Sequence, residues 1–285
     1  MIDRLAWVTA AAARGYDEDE PVALPALRAA GLDVDLVDWH DDDVDWRSYD
    51  RAVIRSTWDY TQRPAEFSAW LDVVGAAVDL RNSVDMVRWS LDKRYLADLR
   101  TAGVPVVPTW FVEPGQDPTF PAGAFVVKPA VGAGGRGVAS YARHQHERAR
   151  AHVTRLHARG VAVLVQPVLA SVAEAGEWPL IFFGGHYSHA ACKRVTLAAE
   201  GTVDELFVAE SAVAHVADDE QLAVARAAMD VVRARFGTPT YARVDVVRDD
   251  DGRYRVLEVE LVEPSLFLPH AGTAAVRRLV EVLAA

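Results

Sequence analysis

Residues Tyr241 to Pro264 read YARVDVVRDDDGRYRVLEVELVEP, in which two strand-like runs, Tyr241 to Val247 and Tyr254 to Pro264, flank the turn Asp249-Asp250-Asp251-Gly252. Side chains alternate along a strand with period two, and an Asp-Gly pair is a strong short-range signal for a two-residue hairpin turn. Centring the turn on Asp251-Gly252 sets Asp245 opposite Glu258 and Arg243 opposite Glu260. Centring it one residue earlier leaves all four on the same face, because Val244, Val246, Leu257, Val259 and Leu261 occupy the other. Two carboxylates opposed at roughly 5 Å repel by ~3 kcal/mol at an effective dielectric near 20, a cost that a cation between them removes. Hard oxygen ligands favour Mg2+ or Mn2+. The alternative is the solvated acidic face of an edge hairpin, and this stretch by itself leaves both readings open.

A second stretch, AFVVKPAVGAGGRGVASYAR from Ala124 to Arg143, carries Lys128 on an apolar run and then Gly132, Gly134, Gly135 and Gly137. The glycines match the dinucleotide fingerprint, but that motif opens a helix and is followed by an acidic ribose ligand about 20 residues on. Here Val138-Ala139-Ser140-Tyr141 reads as a returning strand, and the chain near His157 is basic. No Lys-Ser or Lys-Thr follows the glycines, which excludes a Walker loop. The catalytic-loop motifs of protein kinases are missing. What remains is strand, glycine loop, strand: a lid whose bare N–H groups approach phosphates closely, with Lys128 and Arg136 supplying positive charge.

In this order the motifs resemble the ATP-grasp superfamily, in which ATP lies between two antiparallel sheets and a carboxylate is activated as an acyl phosphate for attack by an amine. Lys93, in SLDKRYLADLRTAGVPVVPT on a helix ended by Gly103, and Lys128, before the loop containing Gly134 and Gly135, match the family's two ATP lysines. Val165-Gln166-Pro167-Val168-Leu169 resembles the hinge that binds adenine, assigning Gln166, Val168 and Leu169 to the base. Glu177, with Glu174 as the nearby alternative, stands where the family has an acid for ribose, and Lys193 matches a basic residue near the transferred phosphate. Arg243, Asp245 and Glu258 fit the basic residue and the two magnesium carboxylates. Many members have Asn where this chain has Glu260, a departure that bears on metal affinity and preference. The match covers Ser83 to Ala285. RSTWDY near the amino end and LEVELVEPSLFL near the carboxyl end are similar to the branch that includes a D-cycloserine-forming cyclo-ligase.

The resemblance implies an α/β (α+β) fold. Residues 1–85 would form a small parallel α/β substrate lobe, and 86–285 the ATP-grasp domain, with its lid at about 105–165 and its metal-binding antiparallel sheet at about 166–285. The first third reads as strand, helix, strand and strand at Leu5 to Thr9, Pro21 to Ala30, Val34 to Trp39 and Ala52 to Ser56. Ligands of such open parallel sheets bind beyond the carboxyl ends of the strands. One such end, Arg55-Ser56-Thr57-Trp58-Asp59-Tyr60, offers a cation, hydroxyls and rings, so Arg55, Ser56, Thr57, Trp58 and Tyr60 are candidate contacts for a zwitterionic amino acid. A polar strand-to-loop junction is the alternative. Ala217 to Phe236 and Thr273 to Leu283 read as amphipathic packing helices. Cys192 reads as a packed side chain and His189 as a hydrogen-bonded structural one.

With 285 residues and 51% hydrophobic content, the chain can bury a core shared by two or three lobes. Net charge of -11 argues against nucleic-acid binding, and no run of about 20 apolar residues suggests a membrane partner. The single cysteine and the lack of a signal-peptide pattern suit the cytoplasm. Homo-oligomer formation stays open. The expected activity is an ADP-forming carboxylate-amine ligase using ATP with Mg2+ or Mn2+ on a small amino-acid-like substrate. A small-molecule kinase, a non-catalytic ATP-binding protein and a nicotinamide oxidoreductase are the rivals.

Overall fold

The computed structural model describes residues 2–194 and 211–285. Strand β1 (Arg4–Thr9) leads through helix α1 (Glu20–Ala29) to β2 (Asp33–Asp38) and β3 (Arg51–Ser56), then through α2 (Pro64–Ala77) to β4 (Asp79–Arg81). These strands form a parallel sheet in the order β2-β1-β3-β4. Period-two alternation covers both faces: Leu5 and Trp7 pack with Leu24 and Leu27 of α1, while Ala6 and Val8 pack with Phe67, Leu71 and Val74 of α2.

Helices α3 (Val84–Leu91) and α4 (Tyr95–Thr101) follow. Lys93 is therefore not on a continuous helix. The helix breaks at Asp92, whose side chain accepts from the Arg94 N–H, and the Lys93 N–H donates to Ala130 O at 2.9 Å instead of continuing the helical ladder.

The lid contains β5 (Trp110–Val112), β6 (Phe125–Pro129), β7 (Ala139–Tyr141), α5 (His146–His157) and β8 (Val163–Pro167). Its antiparallel order is β5-β8-β6-β7. Phe125 and Val127 pack with Val153 and Leu156 of α5, so the alternate residues Val126 and Lys128 turn to the opposite face. The loop between β6 and β7 holds Gly134 and Gly135 at φ 61 and 71, a left-handed pair that side chains with a Cβ resist.

After α6 (Ala170–Ala175) comes the large antiparallel sheet. It contains β9 (Trp178–Phe183), β10 (His186–Arg194), β11 (Ser211–His215), β12 (Tyr241–Arg248) and β13 (Tyr254–Glu260), in the order β11-β10-β9-β12-β13. Helix α7 (Asp219–Phe236) begins at an Asp218/Gln221 capping box and covers one face through Ala225, Ala228, Met229 and Val232. The last helix, α8 (Thr273–Ala284), joins Leu279 and Leu283 to the cluster holding α1, Tyr241 and Leu266, so one core spans the parallel and antiparallel sheets. Asn82 completes the seam: its amide donates to Tyr241 O and Leu261 O at 2.9 and 2.7 Å and accepts from Thr240 N at 2.7 Å.

The hairpin register at its far end is the expected one, Arg243 opposite Glu260 and Asp245 opposite Glu258. Near the turn it slips, with Val246 opposite Val256 and Arg248 opposite Tyr254. The expected two-residue turn is thus a longer one, closed by Asp249 N–H to Arg253 O at 2.8 Å, and the difference is absorbed by a bulge at Leu257. The bulge moves Leu257 off the core face where strict alternation put it, onto the side of Val107, Leu169 and Val247.

Candidate active site

A cleft of about 850 Å3 opens between the lid and the large sheet, closed at one end by loops of the parallel-sheet lobe. Its size falls within the range for small-molecule and cofactor sites. Strand β6, the glycine loop, the end of β8, and the hairpin β12–β13 all contribute to its walls.

On the hairpin, Asp245, Glu258 and Glu260 each present a carboxylate oxygen within 4.8 Å of the others. Arg243 sits among them: Nε and Nη2 donate to the two oxygens of Asp245 at 2.8 and 2.9 Å, and Nη2 also donates to Glu260 at 2.6 Å. Each carboxylate oxygen retains a second lone pair, so this pairing and a metal are compatible. Burial, partly offset by Arg243 and reinforced by Asp245 and Glu258, pushes the Glu260 carboxyl up to about 7. Burial acts the same way on Glu258, but Lys128, with Lys93 and Lys193 near, outweighs it and holds that carboxyl well below the usual range. Burial first, and the neighbouring carboxylates after it, thus disfavour a negative charge at Glu260, a cost that a divalent cation would offset.

The lysines face these acids. Lys128 Nζ donates to Glu258 at 2.6 Å, and Lys93 Nζ donates to the Gly132 carbonyl at 2.9 Å, at the root of the glycine loop. Lys193 Nζ lies 3.3 Å from Glu177, and the two residues exchange backbone hydrogen bonds of 2.8 Å in both directions. The approach is possible because position 176 is glycine: a Cβ there would stand 2.6 Å from Lys193 O. Burial raises the Glu177 carboxyl, Lys193 lowers it, and Asp245 and Glu258 raise it again, which places this pair beside the hairpin acids. Glu174, the alternative considered for Glu177, is exposed.

At the opposite end, Val107, Leu169, Val172 and Leu257 make an apolar surface beside Gln166 and Val168. The Gln166 side chain donates to Thr109 Oγ1 at 2.9 Å. The Val168 N–H donates to Ala124 O at 2.9 Å, which leaves the Val168 carbonyl rather than its amide to a ligand.

The cluster at the end of β3 divides. Trp58 and Tyr60 line the cleft, whereas Arg55, Ser56 and Thr57 do not. Their expected substrate contacts are corrected: all three lie under the wall, at 2, 0 and 0% exposure. Arg55 Nη2 is held by Asp19 at 3.1 Å and by Pro264 O at 2.8 Å, and Ser56 Oγ pairs with Thr9 Oγ1 at 2.7 Å. Asp19 in turn accepts from the amides of Leu266 and Leu268 at 2.5 and 2.8 Å, one on each side of Phe267, a cleft residue in the left-handed conformation at φ 53. Burial, then repulsion by Asp17, pushes the Asp19 carboxyl up to about 6.

Sequence reading missed Asp17, Asp19, Glu263, Ser265 and Phe267, which line the cleft. Glu263 lies beyond the end of β13 at Glu260, where period two no longer applies, and Asp19 reaches the site only by tertiary packing. His189 and Cys192 are as expected: His189 Nε2 bonds Leu266 O at 2.7 Å, and Cys192 Sγ contacts Ala175 O at 3.3 Å.

A lid hairpin with its lysine and glycine loop, set over a second antiparallel sheet whose last hairpin carries grouped carboxylates, is the arrangement of ATP-grasp enzymes. Residues 5–82 match the family model for the N-terminal domain of D-cycloserine synthetase DcsG. The chain is 42% identical to the cycloserine biosynthesis protein DcsG of Streptomyces lavendulae over 96% of its own length and 95% of that protein's. A crystal structure of D-cycloserine synthetase DcsG superposes with TM-score 0.89 at 40% identity, covering 99% of this chain and 98% of that one. A D-alanine–D-alanine ligase from Bacillus anthracis, complexed with ATP, shares the fold at TM-score 0.70 and 16% identity, with 99% and 96% coverage. The chain belongs to the DcsG family of ATP-grasp ligases, enzymes that form C–N bonds. Among the described residues no helix is long and apolar enough to cross a membrane.

Proposed function

We propose that the enzyme activates the carboxylate of a small amino acid as an acyl phosphate, at the expense of ATP, and closes it onto a nitrogen of the same molecule to form a cycloserine-type ring. Cycloserine is a five-membered cyclic amide whose ring nitrogen is bonded to oxygen and whose acyl carbon adjoins a carbon bearing a primary amine. Opening the amide gives a serine-derived amino acid with nitrogen on its side-chain oxygen, and this is the substrate class proposed. The observation that carries the reading is the meeting of the Lys128–Glu258 pair and the Arg243–Asp245–Glu260 cluster beneath the glycine loop.

Asp245, Glu258 and Glu260 would hold Mg2+, with Mn2+ sharing the same oxygen preference, and the metal supplies charge neutralisation at the transferred phosphoryl group. Lys93, Lys128, Lys193 and Arg243 face phosphate oxygens, and the amides around Gly134 and Gly135 close over them and exclude water. The apolar surface at Leu169 and Leu257 takes adenine, with Gln166 and Val168 at its edge, and Glu177 lies towards the ribose and phosphates. Trp58 and Tyr60 contact the amino acid. Residues 1–85 serve as the substrate lobe and 86–285 as the ATP-grasp domain, and the enzyme acts in the cytoplasm.

The test is incubation with Mg-ATP and the D-configured ring-opened amino acid, its side-chain nitrogen free or N-acylated. ADP, phosphate and cyclic product in equal amounts are expected. A stable phosphorylated product would mark a kinase, and no ATP consumption would remove the reading.

A further inference from the structure

The cleft holds more buried acids than phosphate and metal binding require. Asp19 pairs with Arg55, Glu177 with Lys193, Glu258 with Lys128, and Asp245 and Glu260 with Arg243. Glu18 is exposed, and Asp17 accepts from Asp19 N at the start of α1. Glu263 differs from all of these. It is 7% exposed, lines the cleft, and shares its side-chain hydrogen bond with the neutral hydroxyl of Tyr60. Its backbone is fixed from the other lobe: the Glu263 carbonyl accepts from Trp58 Nε1 at 3.3 Å, and the next carbonyl, Pro264, accepts from Arg55. Glu260, Lys93 and Arg243 all lie within electrostatic reach of it. Glu263 thus stands between the phosphate end and the aromatic wall assigned to the amino acid.

The geometry points to Glu263 as the general base of ring closure, accepting the proton of the attacking nitrogen, with Tyr60 as its hydrogen-bonding partner. This rests on the acyl-phosphate reading above. The nitrogen lone pair forms the C–N bond and the C–O bond electrons leave with phosphate. The N–H proton passes to the Glu263 carboxylate and is returned to solvent before the next turnover. A nitrogen attached to oxygen is neutral near pH 7, so its proton becomes acidic only as the bond forms, and a positioned acceptor is then worth about a hundredfold or more.

The environment suits that role. Burial and then the Glu260 charge push the Glu263 carboxyl up to about 8, against the opposing influence of Tyr60, Lys93 and Arg243. A carboxylate with that proton affinity is a far stronger base than one in water and is partly ionised at neutral pH.

The experiment separates the two chemical steps in the full-length enzyme, using Mg-ATP and the D-configured ring-opened amino acid with nitrogen free or N-acylated. Reversible acyl-phosphate formation is read as movement of 18O between bridging and non-bridging positions of ATP, and ring closure as cyclic product by mass spectrometry. For Glu263→Gln the expected result is 18O movement within about threefold of wild type and product formation down about a hundredfold, with Glu263→Asp intermediate. Tyr60→Phe, which also touches the proposed amino-acid contact, is expected at saturating amino acid to slow product formation several-fold more than it slows 18O movement. Equal loss of both signals in Glu263→Gln and Tyr60→Phe would overturn the assignment and leave a structural role. A raised KM for the amino acid with unchanged kcat would also overturn it, in favour of ammonium recognition. A wild-type enzyme with no 18O movement and no product would remove the acyl-phosphate reading itself, a result distinct from either.

Discussion

Two buried Arg–Asp pairs, Arg55–Asp19 and Arg243–Asp245, have nearly the same burial and different surroundings. The first pair is tied to backbone: Arg55 Nη2 donates to Pro264 O, Asp19 accepts from Leu266 and Leu268, and the rest of the guanidinium, whose Nε and Nη1 are buried without a hydrogen-bond partner, lies 5.4 and 5.5 Å from the rings of Trp7 and Tyr241. The second is surrounded by further charge, with Glu260 on the same guanidinium and Glu258 opposite Asp245. A pair whose carboxylate is held by loop amides and whose guanidinium is enclosed by a carbonyl and two rings fixes a loop. One whose neighbours are carboxylates remains able to exchange partners with an incoming cation.

The largest effect distinguishing the two is expected from Arg55→Met. Removing one member of a buried, hydrogen-bonded ion pair costs about 3–5 kcal/mol, so the melting temperature falls sharply and Mg2+ does not restore it. For Arg243→Met, Mg2+ recovers part of the lost stability, because a cation can replace the guanidinium between Asp245 and Glu260. Equal response of both variants to Mg2+ in thermal melts would erase the distinction. Next in size, Glu258→Gln is expected to lower kcat by about a hundredfold or more, and to lower the melting temperature as well because it strips Lys128 of its buried partner. Near-normal ATP consumption would remove Glu258 from the metal set.

The hairpin that holds the second pair was legible because alternation fixes which side chains share a face, whatever the turn. The bulge was not: it depends on the five-residue Asp249–Arg253 loop and on β12, and it is what brings Leu257 to the cleft. Lys93 was found as a lysine but misplaced on a helix, because Asp92 capping its successor is a local choice that helical spacing hides. Arg55 looked like a ligand for substrate because a strand end in a parallel sheet commonly faces one. Its burial depends on Asp19 and Pro264, 36 and 209 residues away in the chain. Glu263 gave no periodic signal at all.

Smaller effects refine the contrast. Lys128→Ala should weaken ATP binding in calorimetry about tenfold, the scale of one charge-assisted hydrogen bond, and unchanged affinity would exclude the contact. The pH dependence of stability follows from Glu260 and Glu263, raised to about 7 and about 8. Between the ordinary glutamate range and pH 8 the folded state binds more protons than the unfolded chain, so stability declines as pH rises through that window. Glu258 is shifted the other way, and its contribution is already complete above the ordinary glutamate range. Thermal melts without metal should drift downward from pH 5 to 8, and Mg2+ should flatten the drift. A rising curve would contradict the charge balance assigned to the cleft.

The most direct test of the account is a crystal structure with Mg2+ and a non-hydrolysable ATP analogue. The expected result is a metal between Glu258 and Glu260, with Lys128 Nζ moved from its 2.6 Å contact with Glu258 to a phosphate oxygen. A nucleotide bound outside the cleft, or a Lys128–Glu258 pair left intact with no metal beside it, would contradict the account.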